Sequence, residues 1–515
     1  RVYWGEMHSH TTWCEGMASV GENYRFARED ACLDWYSASE HIMLGPGDDF
    51  PITDEDSPPA SSAAYWRECQ EMARRFHRPG EFVTFTGYEW TAFLGPDQSG
   101  AQRSERHSWG DHCAWFLHDD YPLVIARSLD DELEALATLA HDALRTGARP
   151  PAMIIPHSGG GSTDWTHYTG RDLVAMPLVE VSSQHAHAEW FLQRSLETGR
   201  RDGFRLGVCA MDDGHMGHPG YDVWSRHGVA TTRERAYSVQ GGITAALAPE
   251  LTREALWDAF FDRRAYGTSG ERMLLDVWIE NAATAGPADE RHAAAHLAPP
   301  DAPAVGQVGR LSMGQRGVAD AAPRFRIEAS GTAPLELVDV IRDDRRIQRF
   351  VLPPDTWDAS LTWADDRPLD REAAYYVRVT QAGDAFAWSS PIWLTCGAGA
   401  GGAAPDDLPA WNAGAWPPDG DPASRREAER HLPALEAFLT MQGASGKYSG
   451  LHSVGMFREH RGQYAHFRGH DPAGRPVHIL YYPDFPEDRI RVGAGWSDYG
   501  VWGGRQRQGE RRSSE

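Results

Sequence analysis

The stretch Tyr3-Trp4-Gly5-Glu6-Met7-His8-Ser9-His10-Thr11-Thr12-Trp13-Cys14-Glu15-Gly16 sets two histidines two residues apart behind a short apolar run, with a carboxylate five residues later. On an extended chain, residues i and i+2 point the same way. His8 and His10 would therefore aim both imidazoles at one point at the end of a strand. Imidazole together with carboxylate suits Zn, Mn or Fe. Two unrelated surface histidines would give the same short pattern, so the rest of the chain has to decide.

It decides by repetition. Glu40-His41 follows the strand-like run at 33–39, and Glu89 ends the run at 81–88. His157 ends the apolar run at 152–156, and Asp213-Gly214-His215 closes the run at 206–211. His112 instead precedes the apolar run at 113–117, with His107 as the fallback in the same polar segment. A (β/α) barrel carries its chemistry at the C-terminal ends of its strands. Helical patterns at 20–32, 61–78, 129–146, 189–198 and 251–263 alternate with these strands, which is the βα signature.

The order of these motifs resembles the PHP (polymerase and histidinol phosphatase) superfamily, over about residues 1–272. Val2-Tyr3-Trp4-Gly5 and His218-Pro219-Gly220 resemble a PHP-like hydrolase branch in which an immunoglobulin-like sandwich follows the barrel. The resemblance implies an α/β fold with a distorted (β/α)7 barrel. It implies two or three divalent metal ions (Zn, Mn or Fe). His8, His10, Glu89 and Asp213 would hold one ion; Glu15, His41 and His215 a second; Glu89, His112 and His157 a third, with Glu89 bridging. Glu6, Glu15 and Glu40 depart from the family pattern, standing where Asp (or, for Glu15, Asp or His) is usual.

The chain has 515 residues, enough for two to four domains. The formal charge of −24, from 74 acidic and 50 basic residues, disfavours nucleic acid. A small anionic substrate remains compatible, because bound divalent ions reverse the sign locally. No apolar run is long enough for a membrane helix. The six scattered cysteines contain no CxxC pair and suit a reducing, cytoplasmic setting, although a leader removed before Arg1 would leave no trace. Cys14 reads as a small buried residue. A homo-oligomer is compatible with the chain, with the strand-rich region after 272 as the expected contact.

Three further stretches bear on the site. The Gly-rich segment at 158–162 lacks the lysine and spacing of a phosphate-binding P-loop. His185 and His187 form a second His-x-His in a loop entering a helix, with His187 a candidate to protonate a leaving group. Arg272, at a turn, is a candidate clamp for an anionic group.

After 272 the period changes. Short alternating strands between 273 and 396 read as the sandwich, residues 397–424 as an Ala/Gly/Pro-rich linker, 425–504 as a small α+β unit and 505–515 as a charged tail. The expected activity is a metal-dependent phosphoesterase in which Glu89 and Asp213 are catalytic. Two other readings stand beside it: the same metal site acting at a carbon centre (amide, lactone or sugar acid), and a non-catalytic scaffold. No Gly-x-Ser-x-Gly elbow favours a serine hydrolase.

Overall fold

The computed structural model describes residues 1–13, 16–43, 62–91, 111–124, 126, 129–157, 165–168, 170–184, 187–221, 241–285, 308–319, 321–343, 345–367, 369, 371–383, 385–396, 422–441, 448–459, 462–470, 476–481 and 490–493. The first elements are β1 (Val2–Glu6), α1 (Val20–Glu29), β2 (Trp35–Tyr36), β3 (Ser39–Met43), α2 (Ser62–Phe76), β4 (Val83–Thr84), β5 (Thr86–Thr91) and β6 (His112–Phe116). They are followed by α3 (Leu129–Arg145), β7 (Ala152–Pro156), β8 (Leu178–Glu180), α4 (Glu189–Asp202), β9 (Gly207–Cys209), β10 (Ile243–Leu247), α5 (Arg253–Phe261) and β11 (Ala265–Thr268). The next strands are β12 (Leu274–Thr284), β13 (Val308–Ser312), β14 (Arg316–Ala319), β15 (Arg324–Ser330) and β16 (Leu335–Arg342). Then come β17 (Arg345–Val351), β18 (Asp358–Ala364), β19 (Ala373–Gln381), β20 (Ala385–Ser389) and β21 (Ile392–Cys396).

The helices sit where the 3.6-residue pattern puts them. Ser19 begins α1 with a capping box: its hydroxyl accepts from the Glu22 amide, while the Glu22 carboxylate takes the Ser19 amide. Gly203, at φ +84°, ends α4 in the left-handed conformation that a side chain resists.

The strands pair differently from the expected (β/α)7 barrel, which does not form. Among the described residues the chain is mostly β, built on large mixed sheets with no closed barrel. β1, β2 and β4 run parallel, but β10 joins the other edge of β1 antiparallel. β3 and β5 are parallel, whereas β6 is antiparallel to both β5 and β7. β8 and β9 form a separate parallel pair. The physical reason lies in the connections. A closed parallel barrel needs each helix to return the chain parallel to the strand before it. Here α3 lies between β6 and β7, and α5 between β10 and β11, yet both strand pairs are antiparallel. Alternation along the sequence located the elements and could not show which edges meet.

The sheet does not stop at residue 272. β11 pairs with β20, so one path of strands runs from β18 through β12, β21 and β19 to β1 and β4. Residues Arg1–Ala230 and Tyr237–Ala404 form one compact unit. It holds two apolar clusters. One surrounds the first half, with Trp35, Trp90, Trp115 and Trp257 fully buried. The other gathers the inward residues of β12, β15, β16 and β19, including Val277, Ile327, Val338 and Val377.

The second compact unit comprises Thr231–Ala236 and Pro405–Glu515. Within it, α6 (Pro422–Glu429), α7 (Leu432–Met441) and the antiparallel strands β22 (Ser449–Glu459), β23 (Gly462–His470), β24 (Pro476–Tyr481) and β25 (Ile490–Gly493) are described. Leu435, Leu439, Phe467 and Ile479 form its core.

One buried acid tests the packing of α3 on β5. The Tyr88 hydroxyl donates to Glu132 at 2.7 Å, and burial pushes the Glu132 carboxyl from 4.5 up to about 8. The unfolded chain therefore sheds this proton first, and stability falls as pH rises from about 4.5 to about 8. Glu132→Gln keeps an acceptor for Tyr88 and removes the penalty. Its stability relative to the parent should grow across that window by on the order of a few kcal/mol. Thermal denaturation at pH 5 and pH 8 checks this; a difference independent of pH contradicts it.

Candidate metal centre

The site begins with backbone hydrogen bonds that lace two distant segments together. After β1 the chain stays extended, so His8 and His10 project to one side as the i, i+2 rule requires. The His10 amide donates to the Gly214 carbonyl at 2.7 Å, and the Gly214 amide donates to the His8 carbonyl at 3.1 Å. Glu6 reinforces the join by accepting from the amides of His8 (2.5 Å) and Asp212 (2.9 Å). Burial pushes the Glu6 carboxyl up to about 7. Glu40 likewise accepts from the Thr11 amide. Asp213 sits at φ +56°, a conformation uncommon outside glycine and often found where a side chain must be aimed.

Seven side chains converge. His8 Nε2 lies 3.3 Å from Glu89 Oε2 and 3.4 Å from Asp213 Oδ1. His10 Nε2 lies 3.4 Å and 3.0 Å from the same two oxygens. His41 Nδ1 is 3.0 Å from Glu89 Oε2, and His157 Nε2 is 3.5 Å from Asp213 Oδ2. The His215 ring stacks on His10 with centroids 4.2 Å apart. Its Nδ1 meets the Asp213 carbonyl at 2.8 Å. Four overlapping groups offer donor atoms to a common point: His8, His157 and Asp213; His8, Glu89 and Cys113; His10, Asp213 and His215; and His10, His41 and Glu89.

These separations fit ligands around a cation. Donors about 2.1 Å from a tetrahedral or octahedral ion stand about 3.4 Å or about 3.0 Å from one another. The nitrogen–oxygen contacts fall in or close to that interval. Both His8 nitrogens are buried, and the carboxylate oxygens nearest to them stand 3.3–3.6 Å away, longer than a normal hydrogen bond. An imidazole nitrogen serves one ion at a time, whereas a carboxylate can bridge two. Glu89 and Asp213 each belong to two groups, so they are the residues able to bridge.

The electrostatics respond to crowding. Burial opposes ionisation of Glu89, but the rings of His41 and His8 outweigh it and hold the carboxyl well below its usual range. Burial, then His215 and His41, bring His10 down to about 3, which leaves the neutral imidazole that a metal requires. At His157 burial also opposes the charge, yet Glu180 beside it raises the pKa to about 10.

Seven of the nine residues read as ligands are thus gathered: His8, His10, His41, Glu89, His157, Asp213 and His215. Glu15 lies outside the described residues, as do Cys14, His107, His185 and the segment at 158–162. His112 joins none of the four groups. The register pairs Glu89 with Cys113, so the period-two alternation of β6 turns His112 to the opposite face. There its Nε2 meets the Tyr168 hydroxyl at 2.5 Å, beside the Trp90 ring. His187 bonds Ser182 Oγ at 2.8 Å and lies against Phe386 and Trp388, joining no donor group. Arg272 is not a clamp at the cluster; it donates to the Ala31 and Cys32 carbonyls just beyond α1.

Glu180 is the residue the sequence reading passed over. Its Oε2 meets His157 Nδ1 at 2.5 Å, and its Oε1 stands 3.6 Å from His8 Nδ1. It hydrogen bonds the His157 ring from behind and stands close to His8, the place an outer carboxylate takes beside a ligating histidine. The signal was present, because Glu180 ends an apolar strand as Glu89 does.

Residues 209–343, which include Asp213 and His215, match the family described as "Protein of unknown function (DUF3604)". An uncharacterised protein of Chlamydia pneumoniae is 29% identical over 414 residues, covering 76% of this chain and 57% of its own length. Uncharacterised proteins of Chlamydia muridarum and Chlamydia trachomatis are 21% and 25% identical, with the same coverage of each chain. The chain therefore spans 57% of the length of these relatives. No solved structure matches.

If the cluster holds cations, Zn or Mn should stabilise the fold. At a free concentration one hundred times Kd, the gain is about 2.7 kcal/mol. The gain should shrink in His10→Ala, whose side chain serves two of the four donor groups, and the groups built on His8 should keep the remainder. Differential scanning fluorimetry with and without EDTA measures both; equal metal shifts in parent and variant contradict the assignment.

Proposed function

We propose that the chain is a metal-dependent hydrolase, with a small anionic phosphate ester as its first substrate class. The observation that carries this reading is the convergence of buried His8, His10, His157 and His215 and partly buried His41 on buried Glu89 and Asp213. The motif order supports kinship with the PHP superfamily at the level of its ligand pattern, on a scaffold of mixed sheets.

Each residue has a task in this reading. His8 and His157 would hold one ion with Asp213 or Glu89, and His10 with His41 or His215 another. Glu89 and Asp213 would bridge, keeping their charge because protonation would remove the bridge. Glu180 fixes the tautomer of His157 through Nδ1 and leaves Nε2 facing Asp213. Glu6 holds the amides of His8 and Asp212, so its carboxylate sets the spacing of the two segments. Bound divalent ions supply a low-pKa water and charge stabilisation for the bond under attack. The net charge of −24 keeps polyanions away and leaves a small substrate to be drawn by the ions themselves.

Attack at a carbon centre is the second reading, and one observation favours it. Arg272, the candidate for gripping a phosphate, is spent on backbone carbonyls. Among the described residues no helix is long and apolar enough to cross a membrane. Cys32, Cys69, Cys113 and Cys209 are free thiols, which supports placing the protein in a reducing compartment such as the cytoplasm.

Phosphate release from a panel of mono- and diesters, with Mn- or Zn-loaded protein, tests the first reading. Glu89→Gln should lower turnover by about a thousandfold, because it removes a ligand charge at the point of attack. No release from loaded parent moves the assignment to carbon-centred hydrolysis. No hydrolysis of esters, amides or lactones by loaded parent would leave the scaffold reading.

A further inference from the structure

Cys113 touches the cluster and has no part in the chemistry above. It lies in β6 directly across from Glu89 in β5, so both side chains leave the same face of the sheet. Its sulfur, a His8 nitrogen and a Glu89 oxygen lie within 4.8 Å of one another, and all three residues are buried. The His8 nitrogens and Glu89 Oε2 are buried, and the Cys113 thiol is itself a hydrogen-bonding neighbour of the His8 ring. The thiol is in no disulfide.

We propose that Cys113 is a thiolate ligand to the ion held by His8 and Glu89, and that it biases this centre toward Zn or Fe over Mn or Mg. The inference rests on the metal reading of the site and adds the selectivity of one ion. On binding, the S–H bond breaks, the proton passes to solvent, and a sulfur lone pair forms the metal–sulfur bond. The geometry suits it. With Zn–S of about 2.3 Å and Zn–N of about 2.1 Å, the two donors stand about 3.6 Å apart, inside the spread of this group. A soft thiolate strengthens binding of Zn and Fe and adds little for Mn or Mg, which prefer oxygen.

Cys209 supplies the control. It pairs with Glu180 across β8 and β9 and belongs to none of the four donor groups. A small hydrophobic filler at 113 accounts for the burial as well and predicts no metal–sulfur bond, which is what the test reads.

The test uses the full chain, stripped of metal and titrated with Co(II). The parent should show a near-ultraviolet thiolate-to-cobalt charge-transfer band beside the weaker visible cobalt bands. Cys113→Ser should lose the first and keep the second, and Cys209→Ser should keep both. Zn affinity should fall by about 10–100-fold in Cys113→Ser, a loss comparable at least to that of an outer-shell partner, with Mn affinity changed far less. Zn-edge X-ray absorption of the parent needs no variant and should show one sulfur at about 2.3 Å. Cobalt bound without the thiolate band, or zinc surrounded by nitrogen and oxygen alone, overturns the role of Cys113 and leaves the metal reading intact. A parent that binds neither ion overturns both.

Discussion

Everything around the site answers to one constraint: carboxylates and imidazoles are packed together where water cannot screen them. Glu89, Asp213 and Glu180 are buried, with oxygens 3.0–3.6 Å from nitrogens of His8, His10, His41 and His157. Isolated carboxylates would be costly to bury, and only opposite charge nearby offsets that cost. Protons on imidazole meet the requirement in part, which is why Glu180 pushes His157 up. Divalent cations would meet it more fully and could use the donor atoms in the arrangement they already have.

The scaffold follows from delivering those groups to one point. Most arrive at or beyond the end of a short strand, β1 for His8 and His10, β7 for His157, β8 for Glu180 and β9 for Asp213, while His41 and Glu89 project from within β3 and β5. Backbone contacts then fix the meeting. The segments after β1 and β9 hydrogen bond reciprocally, and Glu6 clamps both. Close packing behind β1 leaves no freedom to drift. A Cβ on Gly5 would fall 2.0 Å from the Trp35 ring, so only glycine lets β1 and β2 approach this closely.

Particular residues show how much of this was legible. His8 and His10 could be read because a two-residue spacing has geometric meaning on extended chain. His41, His157, Asp213 and His215 could be read because each lies in or just beyond an apolar run. His112 misled because a residue one place away on a strand faces the other side, and the deciding fact was its register against Glu89. Arg272 misled because an exposed-looking arginine does not announce whether carbonyls or a ligand will take it. The barrel misled for a related reason: the alternation of strands and helices was visible, but the edge on which β6, β7 and β10 would pair is a property of tertiary contacts.

The central claim is that cations bind between the motif residues. The most direct measurement is anomalous diffraction at the zinc and manganese edges from crystals grown with each metal. The account predicts two or more anomalous peaks within bonding distance of His8, His10, Glu89 and Asp213, with at least one peak shared by Glu89 or Asp213. Well-ordered side chains with no anomalous density between them, in crystals soaked at saturating metal, would contradict it.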